Sequence, residues 1–350
     1  MSDEIAFALP GPLEARTGGT RYDLQLVAAL RALGQPVRVV TLPGHWPEPA
    51  DGDAQASIDA LHALPRAMPV IIDGLAFGAM DTAAARALGR PVTVMLHHPL
   101  GLEPGMDPAR AQALMTRERG NLAHADAVIV PSAHVHALLL ARFGLDAARI
   151  RVAPPGFTRP ERGAAPADPP LILSVGLICA RKGHDVLLQA LGRLADLRWQ
   201  AVIAGAVQDA ALFERLQSLR GALGLDARVA LPGAVPQAEL DALFARARVF
   251  ALATRYEGYA MVLSEAQLHG LAVVTCETGA VPGTLGGAGV MVPPDDAPAF
   301  AAALRRVLTQ PALRADLSAR SSACAARLPD WEDAGRVTLA ALAQARAHFG

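Results

Sequence analysis

Short apolar runs alternate with stretches of helical periodicity along most of the chain. Apolar residues fill positions 5–9 and 37–42, and between them Leu24, Val27 and Leu30 recur at the three- and four-residue spacing of an amphipathic helix. A strand, a helix and a second strand in this order form a β-α-β unit. Such units predict a parallel sheet.

The same alternation continues along the chain as a first series and then as a second one. Further strands are predicted at residues 70–72, 92–96, 127–131, 150–153, 171–175, 200–204, 229–231, 249–253 and 271–275. Helices are predicted at residues 21–33, 109–124, 185–197, 210–223, 237–245 and 331–347. Residues 278–294 are rich in glycine and proline and are predicted to be loops. The pattern indicates an α/β protein with two doubly wound, Rossmann-like domains of parallel sheet.

A change of composition separates the two series. Residues 158–170 contain proline, glycine, alanine and charged residues without periodicity, and we interpret them as an interdomain linker. The predicted domains are residues 1–160 and 168–330, followed by a helix within 331–350. Because doubly wound sheets bind ligands outside the carboxyl ends of their strands, we expect the ligand in a central cleft faced by both domains.

Composition and charge narrow the class of protein. The chain has 350 residues, 52% of them hydrophobic, and a net charge of −1, so it lacks the basic excess of a nucleic-acid-binding protein. Cys179, Cys276 and Cys324 lack metal-ligand spacing and fit a reducing compartment. The first residues do not resemble a signal peptide, and no uncharged apolar run would span a bilayer. We expect a cytoplasmic protein, with peripheral contact at a membrane surface left open.

Two cations follow the first strand of the second series. Arg181 and Lys182 stand before a predicted helix, and cations beside a helix N-terminus favour a phosphate or diphosphate. A basic surface loop capped by Asp185 is the alternative interpretation.

Two glutamates lie on a strand–loop–helix segment. Glu257 falls on the loop and Glu265 inside the helix. Solvated carboxylates at a helix end are one interpretation, and Glu265 also suits the helix dipole. Carboxylates accept hydrogen bonds from hydroxyl groups. A cationic site is expected one sheet-width away. The two carboxylates and the cations together predict a ligand that has a diphosphate between two polyols, and a nucleotide-sugar has this composition.

The first series contributes a histidine and two glycines. His97 follows a predicted strand and faces the predicted cleft, where His98 shares or replaces its role, although a buried structural histidine is the alternative. Gly18 and Gly19 precede the first helix and either form a tight turn or let backbone N–H groups approach a phosphate or sugar. The segment lacks the Gly-x-Gly-x-x-Gly fingerprint, so a dehydrogenase binding NAD is not indicated.

Taken together, these motifs resemble the retaining glycosyltransferases of family 4 (group 1), which have the GT-B fold. The segment from Glu257 to Glu265 is similar to the Glu-x7-Glu signature of that family. The other similar motifs, in the same order, are Gly18-Gly19, His97, residues 125–132, Pro155-Gly156, Val175-Gly176, Arg181-Lys182-Gly183 and residues 279–282.

The resemblance implies a division of roles between the domains. Residues 1–160 would form the acceptor side, residues 168–330 would bind the donor, and the helix within 331–350 would pack back on the first domain. The residues implied to bind the donor are Gly18, Gly19, Arg181, Lys182, Val235, Glu257, Gly258, Tyr259, Ala260, Met261 and Glu265, and those implied to be catalytic are His97, Lys182 and Glu257.

Among these residues, the resemblance places the diphosphate at Lys182 and Arg181, the ribose hydroxyls at Glu265 and the transferred sugar at Glu257. It also implies that Val235 lines the nucleobase pocket.

The implied reaction is sugar transfer with retention of anomeric configuration, without an enzyme nucleophile, a metal ion or a cofactor. The donor, a substrate, would be a UDP- or GDP-sugar. The acceptor is left open between a glycan, a lipid-linked molecule and a small molecule. Residues 43–66 and 99–108 are predicted to be the loops that choose it.

One position departs from the family pattern. Leu177 stands where members usually carry an arginine after the Val-Gly pair, which removes one donor to the diphosphate, and Arg181 is the residue that would compensate. A nucleotide-sugar epimerase or a phosphorylase of the same architecture is an alternative. A nucleotide-sugar-binding protein without catalysis is another, and Leu177 makes it slightly more credible.

Overall fold

The computed structural model describes residues 4–11, 17–160 and 165–349. The chain divides into two compact units. Unit 1 comprises Met1–Phe157 with Pro329–Gly350, and unit 2 comprises Thr158–Leu328. Each unit contains a six-stranded parallel sheet, which confirms the predicted fold class of two Rossmann-like parallel sheets.

In unit 1 the strands pair in the order β2-β1-β3-β4-β5-β6. These strands are β1 (Ile5–Pro10), β2 (Val37–Leu42), β3 (Val70–Asp73), β4 (Val92–Met95), β5 (Ala127–Val130) and β6 (Ile150–Val152). The helices between them are α1 (Gly18–Ala32), α2 (Asp51–His62), α3 (Gly74–Ala79), α4 (Thr82–Arg86), α5 (Pro108–Leu122) and α6 (Ala133–Leu138). The strand order reverses between β1 and β3, which marks the ligand-binding position of a doubly wound sheet.

In unit 2 the strand order is β12-β11-β10-β7-β8-β9. These strands are β7 (Leu171–Val175), β8 (Gln200–Ala204), β9 (Val229–Gly233), β10 (Val249–Leu252), β11 (Ala272–Cys276) and β12 (Gly289–Val292). The helices are α7 (His184–Gly192), α8 (Ala210–Ala222), α9 (Gln237–Arg246), α10 (Met261–Leu268), α11 (Val281–Leu285), α12 (Ala297–Thr309) and α13 (Pro311–Ala325). Here the order reverses between the adjacent strands β7 and β10.

The last helix, α14 (Trp331–Phe349), belongs to unit 1. It packs along α1, where Gly335 allows the close approach because an added Cβ would lie 2.7 Å from Leu33 Cδ1. Phe157, where the chain leaves unit 1, donates a backbone hydrogen bond of 3.0 Å to the carbonyl of Pro329, where the chain returns.

The central strands of both sheets are buried on both faces, as parallel strands covered by helices must be. β3, β4 and β5 of unit 1, and β10 and β11 of unit 2, are buried at every position. This explains why their sequences are continuous apolar runs and why the sequence predicts them well. No helix in the described part of the chain has the length and apolarity needed to cross a bilayer.

Several predictions about elements are wrong. Helix α1 begins at Gly18, because the Thr17 side chain caps it by accepting the Thr20 N–H at 3.0 Å, so the two glycines lie in its first turn. Helix α2 occupies part of the predicted loop 43–66, although it buries only Ser57 and Leu61. The predicted loop 278–294 contains α11 and the edge strand β12. Both segments are short and flanked by glycine, so their own sequences indicate little. Helix α11 forms by packing against α10, and β12 forms by pairing with β11.

Candidate functional site

The turn between β7 and α7 is shaped by two glycines. An added Cβ on Gly176 would lie 3.2 Å from Lys182 Cδ, so the glycine lets the lysine stem lie against the chain. Gly183 has a φ of +62°, and an added Cβ would come within 2.0 Å of the Ala253 carbonyl oxygen. The turn carrying the two cations is therefore held against the end of β10.

One charged group is formed by the buried Lys182 and Glu257 and the partly buried Arg181. Lys182 Nζ lies 2.6 Å from Glu257 Oε1, and Arg181 lies 3.3 Å from Glu257 Oε2. The Thr254 hydroxyl also donates to Glu257 Oε1, at 2.9 Å. Because β7 and β10 are adjacent, the cations contact this glutamate directly, so the predicted separation of one sheet-width is wrong for Glu257.

The pKa of Glu257 reflects its cationic neighbours. Burial alone would raise this pKa, but the charges of Lys182 and Arg181, together with hydrogen bonds from Lys182 and Thr254, outweigh burial and lower it. Glu257 is therefore a carboxylate, and the group of three side chains carries one net positive charge.

Lys182 is also the only lysine in the sequence, whereas arginine occurs 31 times. A chain that otherwise uses arginine places its one compact ammonium group here, in a space bounded by Gly176 and Glu257. Lysine and arginine are not interchangeable where space is limited.

Arg255 joins the two loops of this group. Its guanidinium lies 2.8 Å from Asp185 and 2.7 Å from Asp295, and it also donates to the Ala180 carbonyl. Asp185 is thus an ion-pair partner of Arg255. Burial would raise the pKa of Asp185, but the hydrogen bond and the charge of Arg255 outweigh burial and lower it. Arg255 was not predicted from the sequence, because its role depends on three separate loops.

The loop from Gly258 to Ala260 leads into α10. Ala260 has φ 72° and ψ 58°, a left-handed conformation that is strained for a residue with a Cβ, and α10 begins at Met261 without a side-chain cap. The loop is held by Ala280, which donates its N–H to the Glu257 carbonyl at 2.9 Å, and by the Thr284 hydroxyl, which donates to the Tyr259 carbonyl. Strain maintained in this way at a helix N-terminus is typical of functional sites.

The remaining predicted residues of unit 2 lie on neighbouring elements. Glu265 is partly buried in the second turn of α10. Val235 is partly buried between β9 and α9. Gly233, at the end of β9, lies near Val207, because a Cβ added to the glycine would be 4.0 Å from Val207 Cγ2. The Val207 side chain is 42% exposed.

Leu177 contributes its backbone to the structure. Its carbonyl accepts a 3.0 Å hydrogen bond from His184 Nε2. Burial lowers the pKa of His184 to about 4, so the ring is neutral and Nε2 carries the proton. His184 anchors the start of α7 and was not among the residues predicted from the sequence.

In unit 1 His97 lies between two buried aspartates. His97 Nε2 is 3.0 Å from Asp23 Oδ1 and 3.6 Å from Asp73 Oδ2. Burial raises the pKa of Asp23 to about 7, and burial together with the charge of Asp23 raises the pKa of Asp73 well above its usual value. Burial lowers the pKa of His97. His98 Nε2 lies 3.1 Å from Glu103 Oε2.

In the described ranges, these three side chains form one cluster of possible metal-ligand atoms within 4.8 Å of one another. The 3.0 Å distance between His97 and Asp23 is that of a hydrogen bond. Neither aspartate was predicted from the sequence. Asp73 is the last residue of the buried strand β3, and Asp23 is an acidic residue on the buried face of α1. These two positions were the signals that the sequence offered.

The structure thus brings Arg181, Lys182 and Glu257 into contact within unit 2, with Glu265, Val235 and residues 258–261 on adjoining elements. Gly19 and His97 are in contact within unit 1, because an added Cβ on Gly19 would lie 3.1 Å from His97 Cδ2. For Gly18, one residue earlier, no atom of the described residues lies within 4 Å of where a Cβ would be.

Two family profiles match consecutive parts of the chain. Residues 16–158 match the profile described as Glycosyltransferase Family 4, and residues 158–323 match the profile described as Glycosyl transferases group 1. A D-inositol 3-phosphate glycosyltransferase from Xylanimonas cellulosilytica is 31% identical over 263 residues, which is 70% of this chain and 63% of that protein. The chain therefore spans less than two thirds of that relative's length.

Solved structures share the fold. Sucrose-phosphate synthase from Thermosynechococcus elongatus has a TM-score of 0.83 at 22% identity and covers 99% of both chains. HepE from Anabaena, solved with UDP and glucose, has a TM-score of 0.76 at 16% identity and covers 97% of this chain and 99% of its own.

Proposed function

The chain belongs to glycosyltransferase family 4, among the group 1 glycosyl transferases, and on this basis we propose that it transfers a sugar from a nucleotide-sugar donor to an acceptor. We propose further that the anomeric configuration is retained and that no metal ion is needed. The family membership predicted from the motifs is confirmed by both profiles, while the reaction and its substrates are our proposal.

The proposal rests on the charged group formed by Lys182, Arg181 and Glu257. Two cations face one carboxylate at the point where the strand order of unit 2 reverses, so the group has a net positive charge where doubly wound sheets bind ligands. The start of α10, which lacks a side-chain cap, adds a partial positive charge on the neighbouring loop. A diphosphate matches this combination of charge and position.

The other donor groups are assigned around this diphosphate. Glu265, on α10, would accept hydrogen bonds from the ribose hydroxyls, and Glu257 with the backbone of residues 258–261 would bind the transferred sugar. Val235 would contact the nucleobase. HepE, which shares this fold, was solved with UDP and glucose, and we therefore propose a UDP- or GDP-sugar as the donor.

The proposed reaction depends on stabilising the leaving diphosphate. Lys182 and Arg181 would neutralise its negative charge as the sugar–oxygen bond breaks, and the acceptor would attack from the face that the diphosphate leaves. Because protein cations carry out this task, we expect sugar transfer to be unchanged by EDTA. An activity lost in EDTA and restored by Mg²⁺ or Mn²⁺ would contradict metal-independent transfer.

The test of the proposed function is product analysis with a panel of UDP- and GDP-sugars and candidate acceptors. The panel includes inositol 3-phosphate, because related proteins are named for that acceptor. Release of nucleoside diphosphate that depends on an acceptor, with a new α- or β-linked product of unchanged anomeric configuration, supports the proposal. An altered sugar still attached to its nucleotide would indicate an epimerase, and binding without turnover would indicate a binding protein.

A further inference from the structure

His97 is held from several sides within unit 1, and the two aspartates on one side have fixed orientations. Asp73 caps α3, since its Oδ1 accepts the Leu75 N–H at 2.7 Å, and this leaves Oδ2 toward His97. Asp23 is 1% exposed on the buried face of α1. The backbone hydrogen bond of Asp73 and the burial of Asp23 restrict the rotation of both carboxyl groups.

Gly19 and Tyr22 make further contacts with the His97 ring. Gly19 lies so close to His97 that a Cβ there would be 3.1 Å from Cδ2 and 3.4 Å from Nε2. Tyr22 packs its ring edge against His97 with centroids 5.2 Å apart. The tyrosine is itself fixed, because its hydroxyl donates to the Ala153 carbonyl at 2.8 Å and Trp331 packs against its ring.

This arrangement selects one tautomer of His97. Nε2 lies 3.0 Å from Asp23 Oδ1, and Asp23 also accepts a hydrogen bond from the Asp73 carboxyl, whose raised pKa keeps its proton in place. Asp23 is therefore the acceptor of this group, and Nε2 is the ring nitrogen that donates to it. The neutral ring then has a lone pair on Nδ1. Nδ1 has no hydrogen-bond partner among the residues described, and 24% of the side chain is exposed. Nδ1 is thus the ring nitrogen available to a ligand.

We propose that Asp23 and Asp73 are positioning residues that hold His97 as the Nε2–H tautomer, so that Nδ1 accepts a hydrogen bond from a hydroxyl group of a ligand. The identity of that ligand as a sugar or sugar alcohol rests on the proposed function. The tautomer itself does not. Because Nδ1 is an acceptor, the group that it binds is a hydroxyl and not a phosphate oxygen, which would offer another lone pair.

The tautomer can be measured directly by ¹⁵N NMR of the full chain labelled with [¹⁵N]histidine. His97→Gln identifies the His97 signals. In the ligand-free wild type at pH 7–8 we expect a protonated, pyrrole-type Nε2 and an unprotonated, pyridine-type Nδ1. A protonated Nδ1 overturns the proposal, as does a bound metal ion whose removal by EDTA changes these signals.

Variants of the two aspartates test whether they set the His97 tautomer or only stabilise the fold. Asp23→Asn and Asp73→Asn keep side-chain size, and an amide in place of the carboxylate partner of a histidine can stabilise the wrong tautomer. We expect at least one variant to raise the population of the Nδ1–H form severalfold without unfolding, as checked by circular dichroism. Asp59→Asn, an exposed change on α2, is the matched control. Wild-type tautomer ratios in both Asp23→Asn and Asp73→Asn overturn the proposal.

Ligand titrations identify the hydroxyl. The probes are D-glucose, D-mannose, myo-inositol, UDP-glucose and GDP-mannose, with UDP, GDP and inorganic phosphate as the series without a sugar. A change in the Nδ1 shift with sugar nucleotides alone assigns the hydroxyl to the donor sugar, and a change with a free sugar or inositol assigns it to an acceptor. A response to inorganic phosphate alone overturns the hydroxyl assignment. If no donor is turned over, the proposed function fails while the ligand-free tautomer still decides the positioning role.

Discussion

At the scale of single residues, Lys182 connects the sequence to the proposed chemistry. The sequence predicted a phosphate site from Arg181 and Lys182, and the structure adds that Lys182 is confined between Gly176 and Glu257. Charge alone would be served by arginine, which the chain uses 31 times. We infer that the size of the ammonium group is what the position requires.

Lys182→Arg tests this requirement. The variant keeps the positive charge but places a larger, planar group where the lysine stem packs 3.2 Å from the Cβ position of Gly176. We expect kcat/KM for sugar transfer to fall at least 10-fold, about 1.4 kcal/mol of transition-state stabilisation. Arg198→Lys, the converse change at an exposed position of unit 2, is the control. Full activity in Lys182→Arg would show that charge alone suffices.

The two glycines at the start of α1 differ in what they contact. Gly19→Ala would press a methyl group against the His97 ring, whereas the methyl group of Gly18→Ala would meet no atom of the described residues within 4 Å. We expect the ¹⁵N shifts of His97 to change in Gly19→Ala and to stay at wild-type values in Gly18→Ala. Both changes favour helix formation, so neither should lower the unfolding midpoint through helix propensity. Equal His97 spectra in the two variants would contradict the close contact between Gly19 and the His97 ring.

At the scale of elements, prediction succeeded for segments whose own residue pattern indicates their secondary structure. The continuous apolar runs of β3, β10 and β11 are typical of central parallel strands, and their alternation with helices along the chain implied the parallel sheets. The start of α1 could not be predicted in the same way, because two glycines are poor helix formers and the Thr17 cap outweighs them. Edge strand β12 gains its structure from pairing with β11 and from contacts with α12 and α13, which its own sequence does not reveal.

The candidate site was predicted only in part, because some of its contacts join segments that are distant in sequence. Lys182 and Glu257 were identified from local motifs, but their direct contact depends on β7 and β10 being neighbours, which the sheet topology decides. Asp23 and Asp73 join His97 from α1 and β3, so their grouping depends on three elements that are distant in sequence. Contacts of this kind cannot be deduced from spacing along one segment.

Helix α5 contains a buried carboxyl group that makes stability depend on pH. Glu118 is 0% exposed, and its Oε2 accepts the Leu100 N–H at 3.0 Å. Burial raises its pKa to about 8. In the unfolded chain the group titrates near 4.3, so between roughly pH 4.3 and 8 only the folded state keeps the proton. Stability from this group is full below the unfolded pKa and is lost as pH rises through the folded pKa.

Glu118→Gln removes this titration while keeping side-chain size. We expect the stability of the variant relative to wild type to increase as pH rises from 5 to 8, by up to about 1.4 kcal/mol per pH unit. Chemical denaturation at several pH values measures the difference. Glu214→Gln, at an exposed position of α8, is the matched control and should show no such slope. Parallel curves for wild type and Glu118→Gln would contradict the elevated pKa.

At the scale of the whole molecule, each unit contains its own set of candidate site residues at the point where its strand order reverses. Unit 2 has a net positive group suited to a diphosphate. Unit 1 has a histidine whose available nitrogen is suited to a hydroxyl. This difference in chemistry matches the different parts of a glycosyl-transfer reaction, a charged leaving group and polyol substrates.

The most direct test of the proposed donor site is isothermal titration calorimetry with UDP, GDP, ADP and CMP on the wild type and on Lys182→Met, which removes the charge but keeps an apolar stem. Arg198→Lys serves as the control, and circular dichroism confirms that each variant is folded. We predict that one nucleoside diphosphate binds the wild type and the control alike and that Lys182→Met weakens its binding at least 10-fold, about 1.4 kcal/mol. Unchanged affinity in Lys182→Met, or no binding of any nucleoside diphosphate to the wild type, would contradict the assignment of the donor site.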